Sequence, residues 1–307
     1  MNIIKIWLLR ISRHLFYISP LGKRLKDYRE RNDWKILELR MAMVKFHRPD
    51  LSPEADFILQ NGICQYPYKQ LTCLKDIGAG YDRDVKLPFV VHKGRKLYFP
   101  LKRSVEWCKN YYSICVSKEA FLGGVYMEKQ PHQYQSERCK IDINDILVDV
   151  GCAEGLFTLD NIDNIAHAYI FECDPQWFAP LQATFRDLED KVTIIHKSVG
   201  ANDTDSEITL GKALQGNCGR SMFIKMDIEG AEVEVITANK QFLRDNDRIK
   251  LSTCTYHRLS DAETIKALYE EMGYQYEFSD GYMYLPKFDK KDSFPYFRKG
   301  VLRGWKE

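Results

Sequence analysis

The chain has 307 residues, 45% apolar and 29% charged, enough for one large globular domain with an appendage or for two modest ones. Its net charge of +2 is uneven: residues 1–35 carry nine Lys/Arg against three acids, so the remainder is net −4. A near-neutral body argues against a protein that tracks along nucleic acid, and nine cysteines without a C-x-x-C pair argue against a zinc ribbon.

In residues 1–19, Ile4, Trp7, Leu8, Ile11, Leu15 and Ile18 recur at helical spacing with Lys5, Arg10 and Arg13 between them. The pattern predicts an amphipathic helix, either docked on the protein's own core or lying on an anionic membrane surface. Arg10 and Arg13 interrupt the apolar run well short of the roughly 20 residues of a membrane span. The same charges make a poor signal-peptide core. An odd cysteine count without such a signal points to a reducing, cytoplasmic compartment, peripheral at the inner face of the membrane if the helix lies on lipid. Residues 20–48 alternate charge with Leu, Ile, Trp and Met and are expected to be helical and mostly solvated. The runs 87–91 and 96–100 around Lys93-Gly94 predict a hairpin, and 116–122 a short helix. Pro131-His132-Gln133-Tyr134 punctuates the chain before its core, with His132 and Tyr134 as weaker candidates for a site.

From 141 onward the rhythm is β–α alternation, which means a parallel sheet with helices on both faces. Strands are expected at 146–150, 168–172, 192–196, 222–226 and 249–254, and helices at 155–162, 175–188 and 231–243. Ser260-Asp-Ala-Glu263 predicts a capping box opening a helix to about Met272. The runs 274–278 and 282–285 flank Ser279-Asp280-Gly281 and predict a hairpin closing the sheet with an antiparallel pair.

The chemistry gathers at the ends of these strands. Ile146-Leu-Val-Asp149-Val is a buried run that enters a turn with Gly151, Ala153, Glu154 and Gly155 and then a helix. Strand, glycine turn and helix form the first unit of a nucleotide-type fold, with the ligand outside the strand's carboxyl end. Glycines there let backbone approach a ligand, and the helix N-terminus offers free N–H groups. The dinucleotide fingerprint G-x-G-x-x-G is not met, which argues against a nicotinamide dehydrogenase. A second strand ends in Glu172, followed by Cys173, Asp174 as a helix cap and Pro175 in the first turn. Glu172 lies 21 positions after Gly151, near the spacing of about 20 at which an acid meets ribose hydroxyls. A glycosyltransferase motif on Glu172 and Asp174 is the weaker reading, because strand end plus cap explains the pair.

The fourth strand runs into Asp227-Ile-Glu229-Gly-Ala-Glu232, beside the first strand. Asp227 and Glu229 are candidates to hold a substrate hydroxyl, act as base or bind a metal through oxygen, and helix capping is their structural alternative. His257 follows the fifth strand at a carboxyl end, where an imidazole suits a general base near neutral pH.

The turn fits D-x-G-x-(G or A)-x-G, which resembles the first motif of class I methyltransferases that bind S-adenosylmethionine. Together with Phe171-Glu-Cys-Asp174, Ile224-Lys-Met-Asp-Ile-Glu-Gly-Ala-Glu232, Cys254-Thr-Tyr-His257 and the closing Phe294-Pro-Tyr-Phe-Arg-Lys-Gly-Val-Leu-Arg303, it resembles the FkbM methyltransferase family over about residues 120–303. The resemblance implies a class I methyltransferase-like α/β fold, doubly wound, with a mostly parallel seven-stranded sheet and an N-terminal helical extension. It implies O-methylation with S-adenosylmethionine as cofactor, and no residue is assigned to a metal. The acceptor would be the hydroxyl of a sugar in a polysaccharide or related glycan, or of a polyketide or other small metabolite. Asp149, Gly151, Ala153, Glu154, Gly155, Glu172, Cys173 and Asp227 would bind the cofactor, and His257, Asp227 and Glu229 would be catalytic. Ala153 departs from the middle glycine of the pattern. A non-catalytic binding module on an inherited fold is the remaining alternative, against which Asp149, Glu172 and Asp227 argue. The expected organisation is a helical extension at 1–60, an accessory region at 61–140, the cofactor-binding domain at 141–290 and a basic tail at 291–307.

Overall fold

The structure, a computed structural model, describes residues 20–217, 219–286 and 294–306, with side chains from Asp33 onward. The amphipathic segment 1–19 therefore lies outside the described residues. The chain forms two compact units that divide between Cys64 and Gln65.

The first unit is a helical hairpin of α1 (Pro20–His47) and α2 (Ser52–Asn61). Leu37, Met41 and Val44 recur at helical spacing on α1 and are buried, as are Leu51, Ala55 and Ile58. Pro53 in the first turn sets the start of α2, and Gly62, at φ 87°, ends it.

The second unit opens with a three-stranded antiparallel sheet of β1 (Ala79–Asp82), β2 (Leu87–His92) and β3 (Arg95–Tyr98). The expected hairpin is there: Lys93 and Gly94 both take positive φ, the geometry whose twist matches the strands. Helix α3 (Val105–Ser113) is capped by Ser104, whose hydroxyl accepts from Trp107 N. It runs on as one wide π-type turn at 114–119 and stops at Ala120 in the left-handed region, so the short helix expected at 116–122 is displaced toward α3.

The central sheet contains β4 (Ile146–Val150), β5 (His167–Phe171), β6 (Val192–Ile195), β9 (Met222–Met226), β10 (Ile249–Cys254), β11 (Gln275–Phe278) and β14 (Val301–Trp305). Two small pairs lie outside it: β7 (Ser198–Val199) with β8 (Glu207–Ile208), and β12 (Met283–Tyr284) with β13 (Phe297–Arg298). The order is β11-β14-β10-β9-β4-β5-β6, and only β14 runs against its neighbours. Alternate residues of β4 feed opposite cores: Leu147 packs with Phe157 and Phe223, and Ile146, Val148 and Val150 pack with Ile224 and Met226. Each of these buried side chains contributes roughly 1.5–3 kcal/mol. That is why a run with apolar residues at consecutive positions becomes a strand covered on both faces. The covering helices are α4 (Leu156–Asn161), α5 (Phe178–Phe185), α6 (Leu210–Ala213), α7 (Glu232–Ala238), α8 (Lys240–Arg244) and α9 (Asp261–Glu271).

Four further expectations are corrected. β11 does not pair with the run at 282–285; it pairs with β14, which enters between β10 and β11. The segment 291–307, expected as a basic tail, thus supplies a buried strand, made possible because Arg303 meets Glu277 at 3.4 Å and donates to Gln135 O and Phe278 O. The capping box does not form: Ser260 is itself helical, and the Asp261 carboxylate instead accepts from Arg258 N. The helix expected at 231–243 is broken at Asn239 into α7 and α8.

Candidate active site

A cavity of about 560 Å³ opens at the carboxyl ends of β4, β5 and β9, bounded also by Tyr111, Trp177 and residues 197–199. The chain winds outward from β4 in both directions, so this crevice is the switch point where open α/β sheets place ligands. The turn after β4 forms one wall. Gly151 sits at φ 76°, and a Cβ there would stand 2.1 Å from the carbonyl oxygen of Asp227, so no other residue fits between the two strand ends. Ala153 is also left-handed, at φ 47°, a strained choice for a residue with a side chain. Its N–H donates to Glu172 Oε2 at 2.9 Å, which ties the turn to the end of β5. Glu172 Oε1 accepts from Asp174 N at 2.8 Å. Asp174 caps the following turn, as expected, by accepting from Gln176 N.

Asp149 does not line the cavity. It is fully buried, accepts from Thr158 Oγ1 at 2.8 Å and pairs with Lys225 at 3.0 Å. Asp149 and Lys225 are register partners on adjacent parallel strands, which delivers the ammonium to the carboxylate. Lys225 also donates to Gly151 O at 2.6 Å. Burial alone would lower its pKa, but Asp149 and Asp227 outweigh burial and hold it well above its ordinary value. Asp149 and Lys225 therefore brace the glycine turn from behind. Glu154 and Gly155 also lie off the cavity wall. The Glu154 carboxyl is pushed by burial to about 7 and accepts from Tyr111 Oη at 3.0 Å. A Cβ on Gly155 would meet Phe185 at 2.8 Å, so that glycine lets α4 pack closely on α5.

Asp227, just past β9, is the centre of the other wall. Tyr134 Oη donates to its Oδ2 at 2.8 Å and Tyr256 Oη to its Oδ1 at 3.2 Å. His132 Nε2 lies 3.3 Å from Oδ2 and His257 Nε2 3.5 Å from Oδ1. Burial would raise this carboxyl, but His132, Lys225 and His257 hold it far below the usual carboxylate range. His132 is itself buried between Asp227 and Glu119, and their hydrogen bonds and charges overcome burial to raise it to about 9. Burial likewise opposes protonation of His257, and Glu232, Asp227 and Glu229 raise it overall. Glu232 Oε1 stands 2.9 Å from His257 Nδ1 and also accepts from Ile228 N. Arg298 Nη1 donates to the carbonyls of Tyr256 and His257, which pins the loop that carries the imidazole. Glu229 is left-handed at φ 56°, solvent-exposed, and 3.7 Å from His257 Nε2.

Of the residues expected to bind or act, Gly151, Ala153, Glu172, Cys173, Asp227 and Glu229 line one cavity. His257 stands one contact behind it, through Asp227 and Glu229. Lys225, Glu232, Arg298, Tyr111 and Trp177 were not anticipated in these positions. Lys225 had a legible signal, since parallel pairing of two buried strands sets it opposite Asp149. Tyr111 and Trp177 had none, because they reach the cavity from separate elements.

Six strands of one direction with a single reversed strand inserted near one edge, and a ligand crevice at the switch point, define a class I methyltransferase fold. The model of the FkbM methyltransferase domain matches residues 90–276, more than half of the chain, and the chain belongs to that family. It is an S-adenosylmethionine-dependent methyltransferase. Among solved structures it is similar to a precorrin-6Y C5,15-methyltransferase from Geobacter metallireducens GS-15, with 15% identity and a TM-score of 0.38 over 55% of this chain and 84% of that one. It is also similar to M. capricolum TrmK in complex with S-adenosyl-homocysteine, with 9% identity and a TM-score of 0.38 over 57% of this chain and 70% of that one. No curated protein matches the chain.

Proposed function

We propose that the protein methylates a hydroxyl, that of a sugar in a polysaccharide or related glycan, with the cofactor in the carboxylate-lined cavity and His257 as base. The residues suit the cofactor. Glu172, Asp174, Asp227 and Glu229 line the cavity against a single ammonium, Lys197, an acidic balance matched to a ligand that carries sulfonium and ammonium charges. Two backbone N–H groups hold the Glu172 carboxylate, and each oxygen keeps a lone pair for one hydroxyl of a ribose diol. The turn at Gly151 and Ala153 and the aromatic rings of Tyr111 and Trp177 complete the holding set.

Bound S-adenosylmethionine supplies an already electrophilic methyl group. The protein's main contribution is then alignment, which is worth roughly 7–11 kcal/mol in well-oriented reactions. Asp227 stays ionised and is occupied by two tyrosine hydroxyls and two imidazoles, so it orients its neighbours and does not take the proton. The observation that carries the reading is the Glu232–His257–Asp227 chain. Glu232 takes the Nδ1 side of the ring, which leaves Nε2 facing Asp227 and Glu229 at the cavity wall. Neutral His257 accepts the hydroxyl proton at Nε2 by way of Glu229, the cavity-lining carboxylate 3.7 Å from it, as the acceptor oxygen attacks, and the three carboxylates stabilise the imidazolium that forms. The exposed Glu229 carboxylate at the cavity wall offers acceptor oxygens to a neighbouring hydroxyl of a sugar ring, which favours a polyol over an apolar acceptor.

We infer a cytoplasmic setting, supported by the free thiols of the described cysteines, with peripheral membrane contact through residues 1–19. No helix among the described residues is long and apolar enough to cross a membrane. The test is labelled-methyl transfer to glycan and polyketide acceptors. His257→Ala should lower turnover by about 10²–10⁴-fold while calorimetric affinity for S-adenosylmethionine stays nearly unchanged. Full turnover in the variant would remove the base, and transfer to polyketides alone would remove the glycan.

A further inference from the structure

Helix α1 carries a second apolar face that the described residues of its unit do not cover. Leu37, Met41 and Val44 are buried, but Ile36, Leu39, Met43 and Phe46 also recur at three- and four-residue steps and form a separate stripe. These four side chains are 48%, 67%, 48% and 80% exposed. At about 100° per residue, Lys35 falls on one side of the stripe and Arg40 and His47 on the other. The acids of this stretch, Asp33 and Glu38, lie farther round the helix, and Glu38 accepts from Trp34 Nε1. Charge continues in the same sense along the sequence, where residues 1–35 carry a net +6.

We propose that this face of α1 lies on an anionic lipid surface, with Ile36, Leu39, Met43 and Phe46 in the acyl boundary and Lys35 and Arg40 at the headgroups. Basic edges along an apolar stripe are complementary to acidic lipid. A second copy of the chain is the poorer occupant, because two such helices would set basic edges against basic edges. The anchor is separate from segment 1–19 and independent of the methyl-transfer reading.

The test is sedimentation of the full chain with phosphatidylglycerol and with phosphatidylcholine vesicles. Binding should be at least about tenfold stronger to phosphatidylglycerol and should weaken as salt rises. The double substitution Leu39→Asp with Phe46→Asp should lower it by about tenfold or more. Both positions are solvent-exposed, so the melting temperature should be unchanged and serves as the folding control. Undiminished vesicle binding by the double variant would overturn the proposal. So would a wild-type dimer in light scattering that binds no vesicles and becomes monomeric in the double variant.

Discussion

Two aspartates end adjacent parallel strands and do opposite work. Asp149 lies within β4, fully buried, with an ammonium and a threonine hydroxyl as partners, and faces away from the cavity. Asp227 lies one residue past β9, where the strand has ended and its carboxylate reaches the cavity wall. The first aspartate holds a turn in shape, and the second gathers two tyrosines and two histidines around the place where chemistry is proposed. Residue type does not separate them; their positions relative to the last ladder hydrogen bond do.

The contrast can be broken most forcefully at the buried end. Lys225→Met would leave Asp149 without its counter-charge and Gly151 O without its donor, a loss of about 3–5 kcal/mol for a buried pair missing one partner. Denaturant unfolding should show it, and a change below about 1 kcal/mol would mean that the pair does not brace the turn. Asp227→Asn removes one of the carboxylates that hold His132 charged, so it should lower stability near neutral pH as well as abolish turnover.

The open end is tested more finely by pH. His132 is raised to about 9 in the fold against about 6.5 when unfolded. A raised histidine contributes stability that is fully present below about 6.5 and is lost as pH rises through about 9, here up to about 3 kcal/mol. The wild-type melting temperature should therefore fall between pH 7 and 9.5, and His132→Gln should flatten that fall. Equal slopes would show that the imidazole is not held charged by Asp227 and Glu119. Asp227 acts in the opposite sense: its carboxyl is depressed, so its contribution is present above the ordinary carboxylate range and disappears on acidification.

The parallel half of the fold was legible because buried strands announce themselves. The runs at 146–150, 222–226 and 249–254 are strands with those bounds. β14 was not legible, because Arg303 and Gly304 interrupt its apolar pattern. Arg303 is tolerated through its ion pair and two carbonyl acceptors, and a Cβ on Gly304 would stand 2.7 Å from the Tyr269 ring. Both reasons depend on residues distant in sequence. The cavity lining shows the same division. Gly151, Glu172 and Asp227 follow from strand ends and spacing, whereas the buried pairing of Asp149 and the ring of groups around Asp227 depend on how the strands stack.

The account depends on Glu172 holding a nucleoside diol at the end of β5. Titration calorimetry of S-adenosylmethionine into wild type and Glu172→Ala tests that directly. With one to two charge-assisted hydrogen bonds lost, at roughly 1.5–3 kcal/mol each, the variant should bind at least about tenfold more weakly. Equal affinity in the two proteins would contradict the placement of the cofactor in this cavity.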